Sequence, residues 1–247
     1  MKTAFAIIAS SCLCLPMAGS AQQAADQHRF GVNNQAILCP PSSEMDPELI
    51  PYNEESTDLV VGPGRTPGFG FLFNTKVLDS HLGIGMFRTL PGFEDHPYVN
   101  KLSGSVGFLS VADSKRFGPA MRARDLSDEW TEDGRCGGRV VSRIGRSKLF
   151  EVKCSAADDY ANVLNRRPQK GETIPDPNSV VVATCTFETI SVGKFAGQSL
   201  RSCTRVVILE KFIVNYRIQE KNLPLYRQID DFLRGRIVGW KNRCVTR

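Results

Sequence analysis

Residues 180–208, VVVATCTFETISVGKFAGQSLRSCTRVVI, place two runs rich in Val, Thr and Ile on either side of a glycine-bearing centre. β-Branched residues of this kind fill the pleated surface of a sheet. Folded as an antiparallel hairpin with its turn around Gly193-Lys194, the segment sets Val182 against Val206, Val180 against Ile208 and Cys185 against Cys203. Directly opposed cysteines lie within disulfide reach at non-hydrogen-bonded positions. The stretch therefore predicts two long antiparallel strands stapled across their middle, and it sets the fold class for the rest of the chain.

A second segment repeats the device. In CGGRVVSRIGRSKLFEVKC, residues 136–154, Ile144-Gly145-Arg146 suits a three-residue hairpin loop with glycine at a left-handed position. That turn opposes Arg139 to Glu151, Val140 to Phe150, Val141 to Leu149 and Cys136 to Cys154, all favourable cross-strand pairs. Cys39 then pairs with Cys244 by elimination and fastens the two ends of the chain together. Further strands are expected at residues 69–78, 104–112 and 205–218. Ser155 with Asp158 in CSAADDYANVLNRR resembles a capping box and predicts a helix there. Residues 119–131 suggest another short helix. Leu225, Ile229, Phe232, Leu233, Ile237 and Trp240 recur at helical spacing and predict an amphipathic C-terminal helix. Strand 104–112 followed by MRARDLSDEW faintly echoes strand 205–218 followed by YRQIDDFLRGRIVGW. Many strands and few helices give an α+β class: a sheet-rich antiparallel domain with a few short helices, a C-terminal helix and three disulfides.

The N-terminus reads as an export signal. Lys2, an apolar run over residues 4–15 and Gly19-Ser20-Ala21 before Gln22 match the three parts of a secretory leader. The expected organisation is a signal peptide over residues 1–21 and a single exported α+β domain over 22–247, periplasmic or secreted. The run is shorter than the ~20 apolar residues of a spanning helix. Cys12 and Cys14 leave with the leader, and the six remaining cysteines make an even set, which in an exported chain implies disulfides. No CxxC occurs and there are three histidines, so a zinc cage has little to be built from.

Local motifs for chemistry are sparse. GPGRTPGFGFLF, residues 62–73, has Gly62, Gly64 and Gly68, but Pro67 stands where a dinucleotide loop needs its third glycine. Phe69, Phe71 and Phe73 then alternate with period two, so the stretch reads as a connection into an aromatic-faced strand, and no cofactor is expected. His81 with Ser80 and Asp79 is too local for a triad. His96 beside Glu94 and Asp95 reads as a polar loop, with no metal expected. Asp158-Asp159 and Asp230-Asp231 read as solvated helix faces. Glu210 interrupts the apolar face of strand 205–218; a buried carboxyl there would be a functional candidate, whereas a bulge at Glu210-Lys211 swings it outward.

Charge is distributed unevenly. Residues 22–100 hold 4 basic and 10 acidic side chains, whereas residues 200–247 hold 11 and 4. The basic C-terminal part, with Tyr226 and Trp240, fits either an anionic partner or the chain's own acidic N-terminal part. No nucleic-acid module is visible. With no catalytic motif and a stapled scaffold, the sequence favours a non-enzymatic protein that binds or neutralises a protein or envelope component. An extracytoplasmic hydrolase of envelope polymers is the alternative, and a structural envelope component the second.

Overall fold

The computed structural model describes residues 30–32, 36–46, 68–108, 140–153, 159–167, 181–190 and 193–245. A short antiparallel pair, β1 (Phe30–Val32) and β2 (Ala36–Leu38), precedes the main sheet. The sheet's strands are β3 (Gly68–Phe73), β4 (Leu102–Phe108), β5 (Val140–Arg143), β6 (Phe150–Lys153), β7 (Tyr160–Leu164), β8 (Val181–Thr189), β9 (Ser199–Leu209) and β10 (Phe212–Gln219). Helix α1 (Thr75–Leu82) follows β3, and α2 (Tyr226–Val245) follows β10 through a 3-10 turn at Glu220–Leu225. Strands lie in the order β3-β4-β10-β9-β8-β7-β6-β5, every pair antiparallel. Chain neighbours β5 to β10 thus form one meander, and β10 is joined on its free side by the β4–β3 pair.

Side-chain parity decides which face is buried. Tyr216 opposes Arg205 on one side and Gly104 on the other, and Gly104 opposes Phe71. One face therefore gathers Phe69, Phe71, Phe73, Leu102, Val106, Phe212, Val214, Tyr216 and Ile218, all buried. Helix α2 lies on it with Ile229, Phe232, Leu233, Ile237 and Trp240 in the same core. Phe73 meets Phe232 edge-on at 4.9 Å and Phe69 meets Trp240 at 5.3 Å. Gly104 has a steric reason: a Cβ there would sit 2.2 Å from the Asn215 carbonyl and 2.7 Å from the Phe71 ring. The opposite face carries exposed polar side chains in its centre, among them Ser105, Thr204 and Asn215.

The β8–β9 hairpin sets Cys185 opposite Cys203 and bridges them, as expected, but the expected Val182–Val206 pair is not formed and Val180 lies outside the described residues. The ladder between these strands stops at Thr184–Thr204, because β8 bulges. Opposite Val163 and Leu164, residues Ala183 and Val181 pair while Val182 is the extra residue. Cys39 bridges Cys244, as expected. Cys136 and Cys154 lie outside the described residues, as do residues 119–131 and strand positions 109–112.

Four expectations are corrected. The β5–β6 hairpin pairs Val141 with Val152, Ser142 with Glu151 and Arg143 with Phe150, a register three residues away from the one expected. Its loop is longer than three residues. Gly145 takes φ +50, the Ser147 hydroxyl donates to the Ile144 carbonyl, and the Leu149 N–H donates back to that hydroxyl. Expected strand 69–78 ends at Phe73, because the Asn74 side chain accepts the Val77 N–H and caps α1. Expected strand 205–218 is two strands joined by a two-residue turn at Glu210-Lys211. The turn shifts side-chain parity by one, so the apparent apolar face of residues 206–216 mixed both sides of the sheet. The helix expected after Ser155 is instead strand β7, where Ala161 and Val163 are buried in the sheet between β6 and β8. Packing there overrides local helix propensity. Among the described residues no helix is long and apolar enough to cross a membrane.

Candidate functional site

The most distinctive surface feature is the loop from Gly83 to Leu90, which leaves α1 and returns toward β4. Gly83, at φ +102, ends the helix, and its N–H donates to the Asp79 carbonyl. Gly85 follows at φ +73, and the Met86 N–H closes a tight turn on the Gly83 carbonyl at 3.1 Å. Ile84, between these glycines, is 94% exposed, and Met86 is 46% exposed. An aliphatic side chain at the tip of a loop gains nothing from that position in the free protein.

What sets the tip apart is how firmly its base is held. The Gly85 N–H donates to Asp79 Oδ1 at 3.2 Å. Phe87 is buried in the main core. Arg88 is gripped by the fully buried Asn222: its N–H donates to Oδ1 at 2.7 Å, and Nδ2 donates to its carbonyl at 2.9 Å. Asn100 repeats this grip on Leu90, at 2.6 and 3.1 Å. Lys221 Nζ donates to the Thr89 carbonyl at 2.5 Å. Each asparagine amide thus plays the part of a neighbouring strand for one loop residue, satisfying a donor and an acceptor together. Lys221 and Asn222 both come from the 3-10 turn before α2, so that turn fixes the loop to the sheet and helix at once.

Beyond Leu90 the chain is held by a second, smaller apolar cluster of Phe93, Val99, Phe195 and Leu200. His96 stands at its edge, 5.0 Å from the Phe195 ring. Its Nδ1 accepts from the backbone N–H groups of Tyr98 and Val99, both at 3.2 Å, which requires an unprotonated Nδ1. Burial, and then the positive charges of Arg217 and Lys101, hold its pKa below the usual histidine value. Glu94 is lowered by backbone N–H groups, its own and that of Gly92, and Asp95 by Lys194, which donates to it at 2.6 Å.

The carboxylates and histidines singled out in the sequence are not gathered into a reaction centre. His81 lies on α1, not in a strand, with its ring against Phe232 at 4.9 Å. Asp79 and Ser80 are both engaged with backbone, at Gly85 and Val77. Glu210 sits in the β9–β10 turn, exposed, and pairs with Lys241 of α2. Asp231 pairs with Arg234 on the solvent side, whereas Asp230 is buried and receives Arg205 at 2.6 Å and the Tyr216 hydroxyl at 2.9 Å. Arg205 also donates to the carbonyl of the bulged Val182 at 2.7 Å and lies over the Tyr226 ring. Burial, and then Asp230, push the Tyr216 hydroxyl well above its ordinary range, so it remains a donor. This network binds sheet to helix and exposes no reactive atom. Asp159 is exposed, and Asp158 lies outside the described residues. Among the described residues no three metal-ligating side chains converge.

One further charge cluster lies on the helix-covered face. Arg201 reaches Glu151 at 2.7 Å and Glu220 at 3.1 Å, and Lys153 adds a contact to Glu151 at 3.4 Å. Burial raises the Glu220 pKa. The Arg201 and Lys153 cations also stand over the half-exposed Phe187 ring.

No family model and no curated protein matches the chain. Among solved structures, an immunity protein of the Stenotrophomonas maltophilia type IV secretion system shares 10% identity at a TM-score of 0.44, over 87% of this chain and 93% of that chain. The likeness is too distant to bear on function.

The loop was not legible in the sequence. Its grips span 134 and 10 residues, and nothing local announces them. The only available signal was GIG at residues 83–85, an isoleucine enclosed by the residue type that turns a chain outward.

Proposed function

We propose that the protein is an exported, non-enzymatic binding protein that neutralises a protein partner by seating the Gly83–Leu90 loop in a recess on it. The observation that carries this reading is Ile84, exposed at the tip of a loop whose backbone is already fixed by Asp79, Phe87, Asn222 and Asn100. A lone exposed aliphatic residue is ordinary. One displayed on a rigid support is suited to binding, because ordering a free loop costs ~1–2 kcal/mol per residue and here that cost falls on folding. Burying the isoleucine then contributes ~1.5–3 kcal/mol to association. The Cys39–Cys244 and Cys185–Cys203 bridges support the export reading, since disulfides persist outside reducing compartments.

A bilayer is a weaker occupant. Inserting Ile84 with part of Met86 yields about 3 kcal/mol, and two nearby cations add ~1 kcal/mol each on an anionic surface. The total falls short of stable anchoring, which takes two membrane signals.

The test compares residues 22–247 with an Ile84→Asp variant, each immobilised and exposed to the extracytoplasmic fraction of producing cells. The expected outcome is a stoichiometric partner held by the parent and lost from the variant, with the melting temperature unchanged because the side chain is exposed. Equal retention by both, or by neither, rules the reading out. The hydrolase alternative draws on one observation, the raised Glu220 sharing Arg201 with Glu151. It predicts release of soluble fragments from cell-wall polymer by the parent and none by Glu220→Gln. Arg201 occupies both carboxylates, which suits a structural clip better than an acid–base pair.

A further inference from the structure

We infer that the recess receiving this loop is an acidic cleft: an apolar pocket takes Ile84, with Met86 at its lip, and carboxylates of the partner meet Arg88 and Lys221. The inference rests on the protein-binding reading above and adds the chemistry of the partner's site.

Three observations carry it. First, the loop has no negative charge of its own. Residues 80–92 contain no Asp or Glu, and the nearest acid, Asp79, has Oδ1 taken by the Gly85 N–H. Second, Arg88 and Lys221 are electrostatic neighbours on the same frame, and neither meets a carboxylate among the described residues. The cations of Arg205, Arg217, Lys194, Arg236 and Lys241 each do, whereas Arg146 and Lys148 on the β5–β6 loop do not. What sets Arg88 and Lys221 apart is their place beside the exposed Ile84 on a backbone held by Asn222 and Lys221 itself. Lys221 Nζ donates to the carbonyl of Thr89, the residue after Arg88, and two like charges on one short frame without an anion form a local positive potential that a partner can neutralise. The state of Lys221 agrees: burial first, and then Arg88, hold its pKa below the ordinary lysine value. Third, the shape is convex. Ile84 stands free at the tip, while Arg88 follows four residues later, at most about 14 Å along the chain. One recess therefore spans both the apolar tip and the cation pair. The asparagine grips fix the spacing between them, so the partner's pocket and acids must match it in register.

The experiment uses the mature chain with benzoylphenylalanine replacing Met86, irradiated in the extracytoplasmic fraction, to identify the partner and the segment it cross-links. Affinity for that partner is then measured for Arg88→Glu/Lys221→Glu, for Ile84→Asp and for a control of equal charge change, Arg146→Glu/Lys148→Glu, on the distant β5–β6 loop. Expected are a loss of at least ~30-fold for the first pair, affinity falling with added salt, and the control within about twofold. Recovery of binding when the cross-linked segment's acids are changed to Lys in the presence of Arg88→Glu/Lys221→Glu completes the support. If Ile84→Asp abolishes binding while the charge-reversed pair binds as the parent does, the acidic cleft is wrong and the protein-binding reading stands. If no protein cross-links and none of the variants matters, both fall. Sedimentation with vesicles containing 30% phosphatidylglycerol, if it depends on both Ile84 and the cation pair in the absence of a protein cross-link, overturns the inference in favour of a bilayer.

Discussion

Asn222 is completely buried and spends its amide on the backbone of a residue 134 positions away. Replacing it by Ala removes the partners of the Arg88 N–H and carbonyl, each hydrogen bond contributing ~0.5–1.5 kcal/mol, and leaves a void where the buried amide packed. Asn222→Ala is expected to destabilise the protein by about 2–4 kcal/mol in denaturant titrations and to speed amide exchange from Gly85 to Leu90 more than in β9. Uniform acceleration across the sheet would show that the amide serves global stability alone. His96 makes a second residue-scale prediction. Its folded pKa is lowered, so the unfolded chain takes up the proton first as pH falls. Stability from its Nδ1 contacts is therefore complete above the ordinary value of about 6.5 and declines as pH drops below it toward the folded pKa. The melting temperature should fall between pH 7.5 and 5.5, and His96→Gln should flatten that segment of the curve. Glu220, with its raised pKa, acts in the opposite sense, and comparing parent with variant removes its contribution. Neither residue was legible as a site, because a buried amide or an accepting imidazole is defined by what the fold brings to it.

Among the elements, β8 and β9 were readable and the β9–β10 connection was not, for a physical reason. Cys185 and Cys203 fix a register that β-branched residues on both strands reinforce. The turn after Leu209 has no glycine, asparagine or proline; Glu210 itself takes φ +55, a conformation costly for a side-chain-bearing residue. Without a turn signature two strands read as one, yet the expected break at Glu210-Lys211 that swings Glu210 outward is where the turn falls, and Glu210 is exposed there. The C-terminal helix was legible from its apolar stripe, but not its polar anchor. Asp230 lies between residues of that stripe and closes on Arg205 and Tyr216. Asp230→Asn keeps the shape and removes the charge, leaving a largely buried guanidinium without its anion. Breaking a buried pair from one side costs ~3–5 kcal/mol. The variant is expected to lose that much in chemical denaturation, and Asp230→Asn/Arg205→Met to recover a large part of it. A double variant no more stable than the single one would place the cost in the helix and not in the unpaired cation.

At the scale of the whole molecule, the acidic N-terminal part does meet the basic C-terminal part. Glu44 accepts from Arg236 at 2.9 Å and from the Trp240 indole at 2.7 Å, the Cys39 N–H donates to the Trp240 carbonyl, and Cys39 is bridged to Cys244. The uneven charge seen along the sequence is thus partly answered inside the chain. Arg88 and Lys221, on the loop and on the turn that holds it, take no part in this contact. The bridge spans 205 residues and in the chain-entropy model is worth up to ~5 kcal/mol. Because the Glu44 contacts dock the same segment independently, Cys39→Ser/Cys244→Ser should lose only about 2–3 kcal/mol, at the low end of the range for removing a native disulfide. The loop is gripped by Asn222, Asn100 and Lys221, none of which touches this bridge, so the affinity that depends on Ile84 should be unchanged at a temperature where the variant is folded. Measuring both quantities on one variant separates the two roles of the fold. A drop in partner affinity with the loop's amide exchange intact would mean that the stapled ends themselves contact the partner.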